Sequence, residues 1–376
     1  MNKKFWATAF TLTGSIVGAG LLGLPYVFAK SGFLAGLFWL IILGALMTFI
    51  NLTLGEVALR TKGKHQLPGY AEKYLGKWGK RAMLFAMLFG VYSALLAYLV
   101  GEGKSLSQIL PGNIPPIVLG IMFWLIMTLL LREGLKGLKK IETWGVLAVI
   151  TIVFGIFIKF VPLVKPENLI TWNSANFLTP IGVIMFALLG FTSIPELRKE
   201  IKGQEKLLKQ AIIIGSLVPI FLYILFSTIF VGILGTNITQ IATLSFGPII
   251  TLLGIFTMLT SYFVLSFSVQ SIFKYDVKIS KKANFFFTSL IPLVLYALVT
   301  QYNLIGFALI LGIGGVISGG LTGILILLMA KKAKSNTRNK KNPEIEIPLN
   351  WTLIIILSLI FIAGIILQFT VSPNEF

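Results

Sequence analysis

The chain of 376 residues is 56% hydrophobic and 12% charged, with 32 Lys and Arg against 13 Asp and Glu and no cysteine. That balance excludes a soluble globular enzyme and points to a protein embedded in lipid, and the absent thiols exclude disulfides and cysteine-built metal sites. The basic excess is spread between apolar runs rather than gathered in one patch, so no nucleic-acid partner is expected.

Taken in chain order, apolar runs of about 20 residues, long enough to cross a bilayer, occur at 5–29, 33–58, 82–110, 115–132, 143–163, 178–198, 208–232, 245–272, 284–300, 304–330 and 351–371. Eleven transmembrane helices are therefore predicted for an all-α integral membrane protein, and no extramembrane domain is left over. The first run is too long and too rich in glycine for a cleavable signal peptide and reads as the first span. With the N-terminus inside, 28 of the 32 Lys and Arg fall on inner segments, six of them in the run "KKAKSNTRNKK" at 331–341. Lys30, Lys104, Lys159 and Lys165 make up the remainder, Lys159 at an interface where its stem snorkels. This asymmetry predicts a cytoplasmic N-terminus and an outer C-terminus in the plasma (cytoplasmic) membrane, with the 331–341 run near anionic headgroups. The Asn237-Ile238-Thr239 sequon then lies on an outer loop.

Reactive groups are scarce: the only His is His65, in an inner loop, and the only Asp is Asp276, at a helix end. No cluster of such groups lies at membrane depth, and no Gly-rich phosphate loop supports ATP-driven pumping. An enzyme is therefore not expected. A secondary transporter is, with a sensor, facilitator or channel on the same scaffold as the alternative.

Two spans carry interruptions. The first contains "TGSIVGAGLLGLPYVF" (13–28), and the sixth, "TPIGVIMFALLGFTSIPELRKEI" (179–201), breaks at 190–193 before Pro195. Backbone polar groups freed in hydrocarbon cost several kcal/mol each unless they line a cavity or bind something; the alternative is that the glycines serve close helix packing. Five spans separate the two starts, so the sixth enters from the opposite side. The pattern is a five-plus-five inverted repeat with broken helices 1 and 6, the repeats at about 5–163 and 178–330, a linker at 331–349 and one extra helix at 351–371.

The segments "GSIVGAGLLGLPYVFAKSGF", "GYAEKYLGKWGK" (69–80) and "FALLGFTSIPELRKEI" (186–201) resemble the amino acid/auxin permease family of the amino acid–polyamine–organocation superfamily. The resemblance implies a LeuT-type fold and amino acid uptake by alternating access, driven by sodium or protons.

The chemistry of a broken helix agrees. N–H groups of Ala19, Gly20, Leu21 and Leu22 are suited to a carboxylate, and carbonyls near Phe186, Ala187 and Leu189 to an ammonium, so a zwitterion needs no buried counter-charge. Ile16, Val17, Phe191, Thr192, Tyr92 and Tyr98 complete a candidate pocket for an apolar or aromatic side chain. For the cation, Thr257, Thr260 and Ser261 on the eighth span offer hydroxyls beside carbonyls at Gly14 and Val17. This resembles the sodium site of sodium-coupled members, with Gly14 where those carry Asn; the alternative is that the hydroxyls bond back to their own helix. A proton mechanism instead uses Glu102, expected near the pocket mouth, where a vestibule ion pair with Lys104 is the alternative. Glu56, four residues before Arg60, reads as an interfacial pair. Spacing favours sodium over protons. No cofactor beyond that ion is expected, and the partners are the bilayer and a small amino acid, with the chain read as a monomer.

Overall fold

The computed structural model describes residues 3–18, 20–63, 65–133, 138–335 and 343–370, with backbone alone at 133 and 138–146. Fourteen α-helices follow in order among them: α1 (Lys3–Ile16), α2 (Gly20–Ser31), α3 (Phe33–Arg60), α4 (Leu67–Ile109), α5 (Pro116–Glu133), α6 (Leu138–Phe160), α7 (Pro180–Ala187), α8 (Ile194–Glu200), α9 (Leu208–Leu234), α10 (Pro248–Ser271), α11 (Lys281–Gln301), α12 (Phe307–Gly314), α13 (Gly320–Ser335) and α14 (Trp351–Thr370). Eight described helices, counting segments joined across a bend, are long and apolar enough to cross a membrane, and the bent pair α1 and α2 makes a ninth. The apolar stretches 116–132 and 147–163 are shorter, and they coincide with the fourth and fifth expected spans. This is a multi-pass membrane protein.

Local chemistry sets the element ends. Proline occupies the first turn of α7 and α10, where no intrahelical N–H is lost, and the Ser280 side chain caps α11 by accepting from Ala283 N. Between α2 and α3 the chain reverses through Gly32, whose φ of 84° is open to glycine. The basic stretch before the third span is helical, and α4 continues it through a kink at Gly76, where φ is 76°. Glu72 and Lys80 pair across that kink at 2.8 Å.

In hydrocarbon, helices associate by close packing rather than by expelling water, and small residues mark where they touch. The helix α9 runs along α1, α2 and α3, with Gly215 so near α1 that a Cβ there would stand 2.7 Å from the Ala9 carbonyl. The helix α4 packs on α5, α10, α12 and α13. Between α12 and α13 a π-turn at Gly315–Gly319 lies against α7, where a Cβ on Gly315 would meet Phe186 N at 2.5 Å. Gln368 of α14 fills a notch made by Gly182 and Gly312, since a Cβ at either would collide with or crowd its amide.

The extended segment before α14 is fastened to the end of α3. Glu56, 1% exposed, accepts from Arg60 Nε at 2.7 Å, from Ile347 N at 2.8 Å, and pairs with Lys334 Nζ at 3.3 Å. Ile345 and Ile347 of this strap are buried while Glu346 reaches Arg60 at 3.1 Å. The expected Glu56–Arg60 pair is present, within a larger network.

Candidate functional site

The two expected interruptions are real. The first span turns by 58° between α1 and α2, and the sixth unwinds after Ala187 and restarts through a short 3₁₀ turn at Phe191–Ser193 before α8. Glycine and proline in 18–25 and 190–195 make both breaks local consequences of sequence.

The broken ends meet. Tyr223 of α9, fully buried, places its hydroxyl 2.8 Å from the Ile16 carbonyl and 2.8 Å from the Ala187 carbonyl, the last residues of α1 and α7. Ser15 Oγ lies 3.0 Å from Ser193 Oγ, and Gly190 packs on Ile16 and Leu12. Gly18 faces α4 and α10 closely: a Cβ there would stand 3.3 Å from the Tyr98 hydroxyl and 3.6 Å from Ser261 Oγ. Phe186 lies beside Gly314, which also faces Ser93. The structure thus brings Ile16, Tyr98, Phe186, Ala187 and Ser261 around the breaks, with Val17 buried between them.

Other expected residues are placed differently. Ala19 lies outside the described residues. Gly20 turns not toward open space but onto α7, where an added Cβ would come within 2.5 Å of Ala187 Cβ, so it serves close packing, the alternative weighed for these glycines. The Leu21 N–H is used by the Gly18 carbonyl at 3.1 Å, and Leu21 and Leu22 side chains are fully buried. The Phe186 carbonyl accepts from Leu189 N at 3.2 Å. Leu189 itself sits near Gly319. Phe191 is buried whereas Thr192 is exposed, leaving Ser193 as the residue of that turn that faces α1. Tyr92 donates to the Phe287 carbonyl at 3.1 Å, away from the breaks.

On α10 the Thr257 hydroxyl donates to Leu253 O at 2.8 Å and that of Thr260 to Phe256 O or Thr257 O at 3.0 Å. These are the back-bonds weighed above; they occupy the hydrogens but leave oxygen lone pairs. Gly14 is half-buried. Glu102 corrects an expectation: it is fully buried rather than at a mouth, and neither carboxylate oxygen has a hydrogen-bond partner. It lies on α4 one turn beyond Tyr98, with Ser105, also buried and without a hydrogen-bond partner, a turn further. Among the described residues no group of His, Cys, Asp or Glu forms a metal cluster.

Sequence reading missed Tyr223, Ser193 and Ser15. The tyrosine stands alone in an apolar span, and only its crossing with two other spans gives it a role.

Residues 1–368 match the pattern of the tryptophan/tyrosine permease family. The chain belongs to that family. Its members are permeases rather than enzymes, and the family is related to the one the motifs resemble. Among curated relatives, "Tyrosine-specific transport system 1" of Haemophilus influenzae is 29% identical over 242 residues, which span 63% of this chain and 60% of that protein. "Glutamine transporter 2" of Aliivibrio fischeri is 26% identical over 344 residues, 84% of this chain and 86% of the relative. "Vacuolar amino acid transporter 5" of Schizosaccharomyces pombe is 27% identical over 171 residues, covering 42% of this chain and 38% of the yeast protein.

Proposed function

We propose that this permease takes up a neutral amino acid, aromatic by preference, by alternating access around the two broken spans, with a proton as the coupling ion. The observation that carries the reading is the meeting of α1 and α7 on one buried hydroxyl, beside a break residue, Gly18, that faces Tyr98 and Ser261. Two helix ends whose last carbonyls each keep a second lone pair, and one helix start, give opposite dipoles to the two charges of a zwitterion. The tyrosine and glutamine transporters among the relatives support a neutral substrate. Helices at every one of the eleven apolar runs, together with the charge asymmetry, support eleven spans in a five-plus-five arrangement with the N-terminus inside and the C-terminus outside.

Glu102 supports the proton. An ionised carboxylate enclosed without a partner stands uncompensated in a low dielectric, so each cycle has to neutralise it, and α4 joins it to Tyr98 at the break over about 6 Å of helix rise. Sodium is the second reading, favoured by Ser261 facing Gly18 beside the Thr257 and Thr260 oxygens.

Purified protein in liposomes tests both, with L-tyrosine as probe and pH and sodium gradients imposed separately. Accumulation that follows the pH gradient and is lost in Gly18→Val is expected. Accumulation that follows sodium alone selects the second reading. Thermal stabilisation by L-tyrosine without any flux makes the protein a sensor and removes the transport reading.

A further inference from the structure

Tyr223 marks where the two breaks meet, yet neither end of the ligand nor the coupling ion has been assigned to it, although it touches both half-helices. Its helix is fixed against α1 well before the break: Gly215 abuts Ala9, and Thr13 Oγ1 donates to the Gly215 carbonyl at 3.3 Å. Two turns later the phenol arrives at the breaks with 0% exposure, so no solvent competes for its hydrogen.

A phenol carries one hydrogen, and here two carbonyl oxygens stand at 2.8 Å from it. Both belong to helix C-termini, whose partial negative charges repel when brought together. The shared hydrogen offsets that repulsion and holds the oxygens no further apart than twice their distance to the phenol. Each carbonyl keeps a second lone pair. A paired, partly negative, under-donated acceptor suits a group with several N–H donors on one charged atom, which is a primary ammonium.

We propose that Tyr223 is the positioning residue for the amino group of the ligand: its hydroxyl holds the Ile16 and Ala187 carbonyls as one acceptor pair for a primary ammonium. This rests on the reading that the ligand binds at the two breaks. It assigns Tyr223 to affinity for the amino end, not to the side chain or the coupling ion.

Tyr223→Phe keeps the ring and removes only the hydroxyl. In liposomes, KM for L-tyrosine is expected to rise about tenfold with the maximal rate held within about twofold, while inhibition by 3-(4-hydroxyphenyl)propanoate, which lacks the amino group, stays as in wild type. An unchanged KM, or equal weakening of both compounds, overturns the assignment, the latter because a merely structural loss does not single out the amine. Should Tyr223→Phe fail to fold, wild type decides: N,N-dimethyl-L-tyrosine, with one N–H left to serve two carbonyls, is expected to inhibit about tenfold more weakly than L-tyrosine, and equal inhibition overturns the proposal. If Gly18→Val transports L-tyrosine normally, the site lies elsewhere and both readings fall. If Gly18→Val is inactive and Tyr223→Phe has a normal KM, the assignment of Tyr223 alone fails.

Discussion

Ser15 Oγ stands 3.0 Å from Ser193 Oγ, joining the last turn of α1 to the turn that restarts the sixth span. The two serines are unequal partners. Ser15 has the Leu12 carbonyl at 2.8 Å as its other acceptor, whereas Ser193 also closes its own turn onto the Gly190 carbonyl at 2.8 Å. Ser193→Ala therefore removes the turn's own bond and the contact between spans, and should cost about 1–2 kcal/mol, with Ser15→Ala costing about half as much. Thermal unfolding of the detergent-solubilised variants measures the difference, and equal losses would contradict this asymmetry.

The contact of Gly20 with Ala187 predicts a directional double mutant. Gly20→Ala pushes a methyl into the α7 backbone and should destabilise by about 1–3 kcal/mol. Adding Ala187→Gly clears the side-chain part of the clash and should recover part of that loss. If the double variant is no more stable than Gly20→Ala, the two positions are not in contact.

Glu102→Gln keeps the shape of the side chain and removes its capacity to carry a proton. Accumulation of L-tyrosine driven by a pH gradient should disappear, while exchange of labelled for unlabelled L-tyrosine continues, because exchange needs no net proton movement. Accumulation that survives in Glu102→Gln would move the coupling site elsewhere, with Ser261 and the neighbouring threonine oxygens the next place to look.

At the C-terminal end of α3, Arg60→Met leaves the buried Glu56 carboxylate with Lys334 and the Ile347 N–H alone. The expected loss is about 1–3 kcal/mol, since a buried charge has lost its best partner. Glu56→Gln in the same chain should cost less than the sum of the two single changes. Additive losses in chemical unfolding would show the pair to be uncoupled.

Much of the architecture is legible in the sequence because a bilayer makes local rules strict: an apolar run of span length must be a helix, and a Gly-rich or Pro-bearing gap in one must be a break. The gaps after Ile16 and after Ala187 were readable for that reason. Gly20 was ambiguous, because the absence of a side chain serves a ligand's approach and a helix's approach equally well, and only the position of Ala187 decides. Glu56 was read with Arg60, four residues away on the same helix, while Lys334 and Ile347 lie almost 300 positions along the chain and leave no local trace. Depth is likewise hidden. "GEGK" places Glu102 two residues from a lysine in sequence, but on a helix such residues point about 200° apart, and Glu102 turns inward without Lys104. The π-turn at Gly315–Gly319 had a signal in "LGIGGVISGG", though glycine frequency alone does not separate a wider turn from tight packing.

Gln368 adds an order to biosynthesis. The notch it fills is built from Gly182 on α7 and Gly312 on α12, segments that leave the ribosome long before α14 does. The two glycines also meet each other directly, since a Cβ on Gly182 would stand 2.8 Å from Gly312 Cα, so α7 and α12 can close on one another before α14 is made. The amide of a single late residue is then seated on a seam that is already shut, and sealing that seam is the last step of assembly.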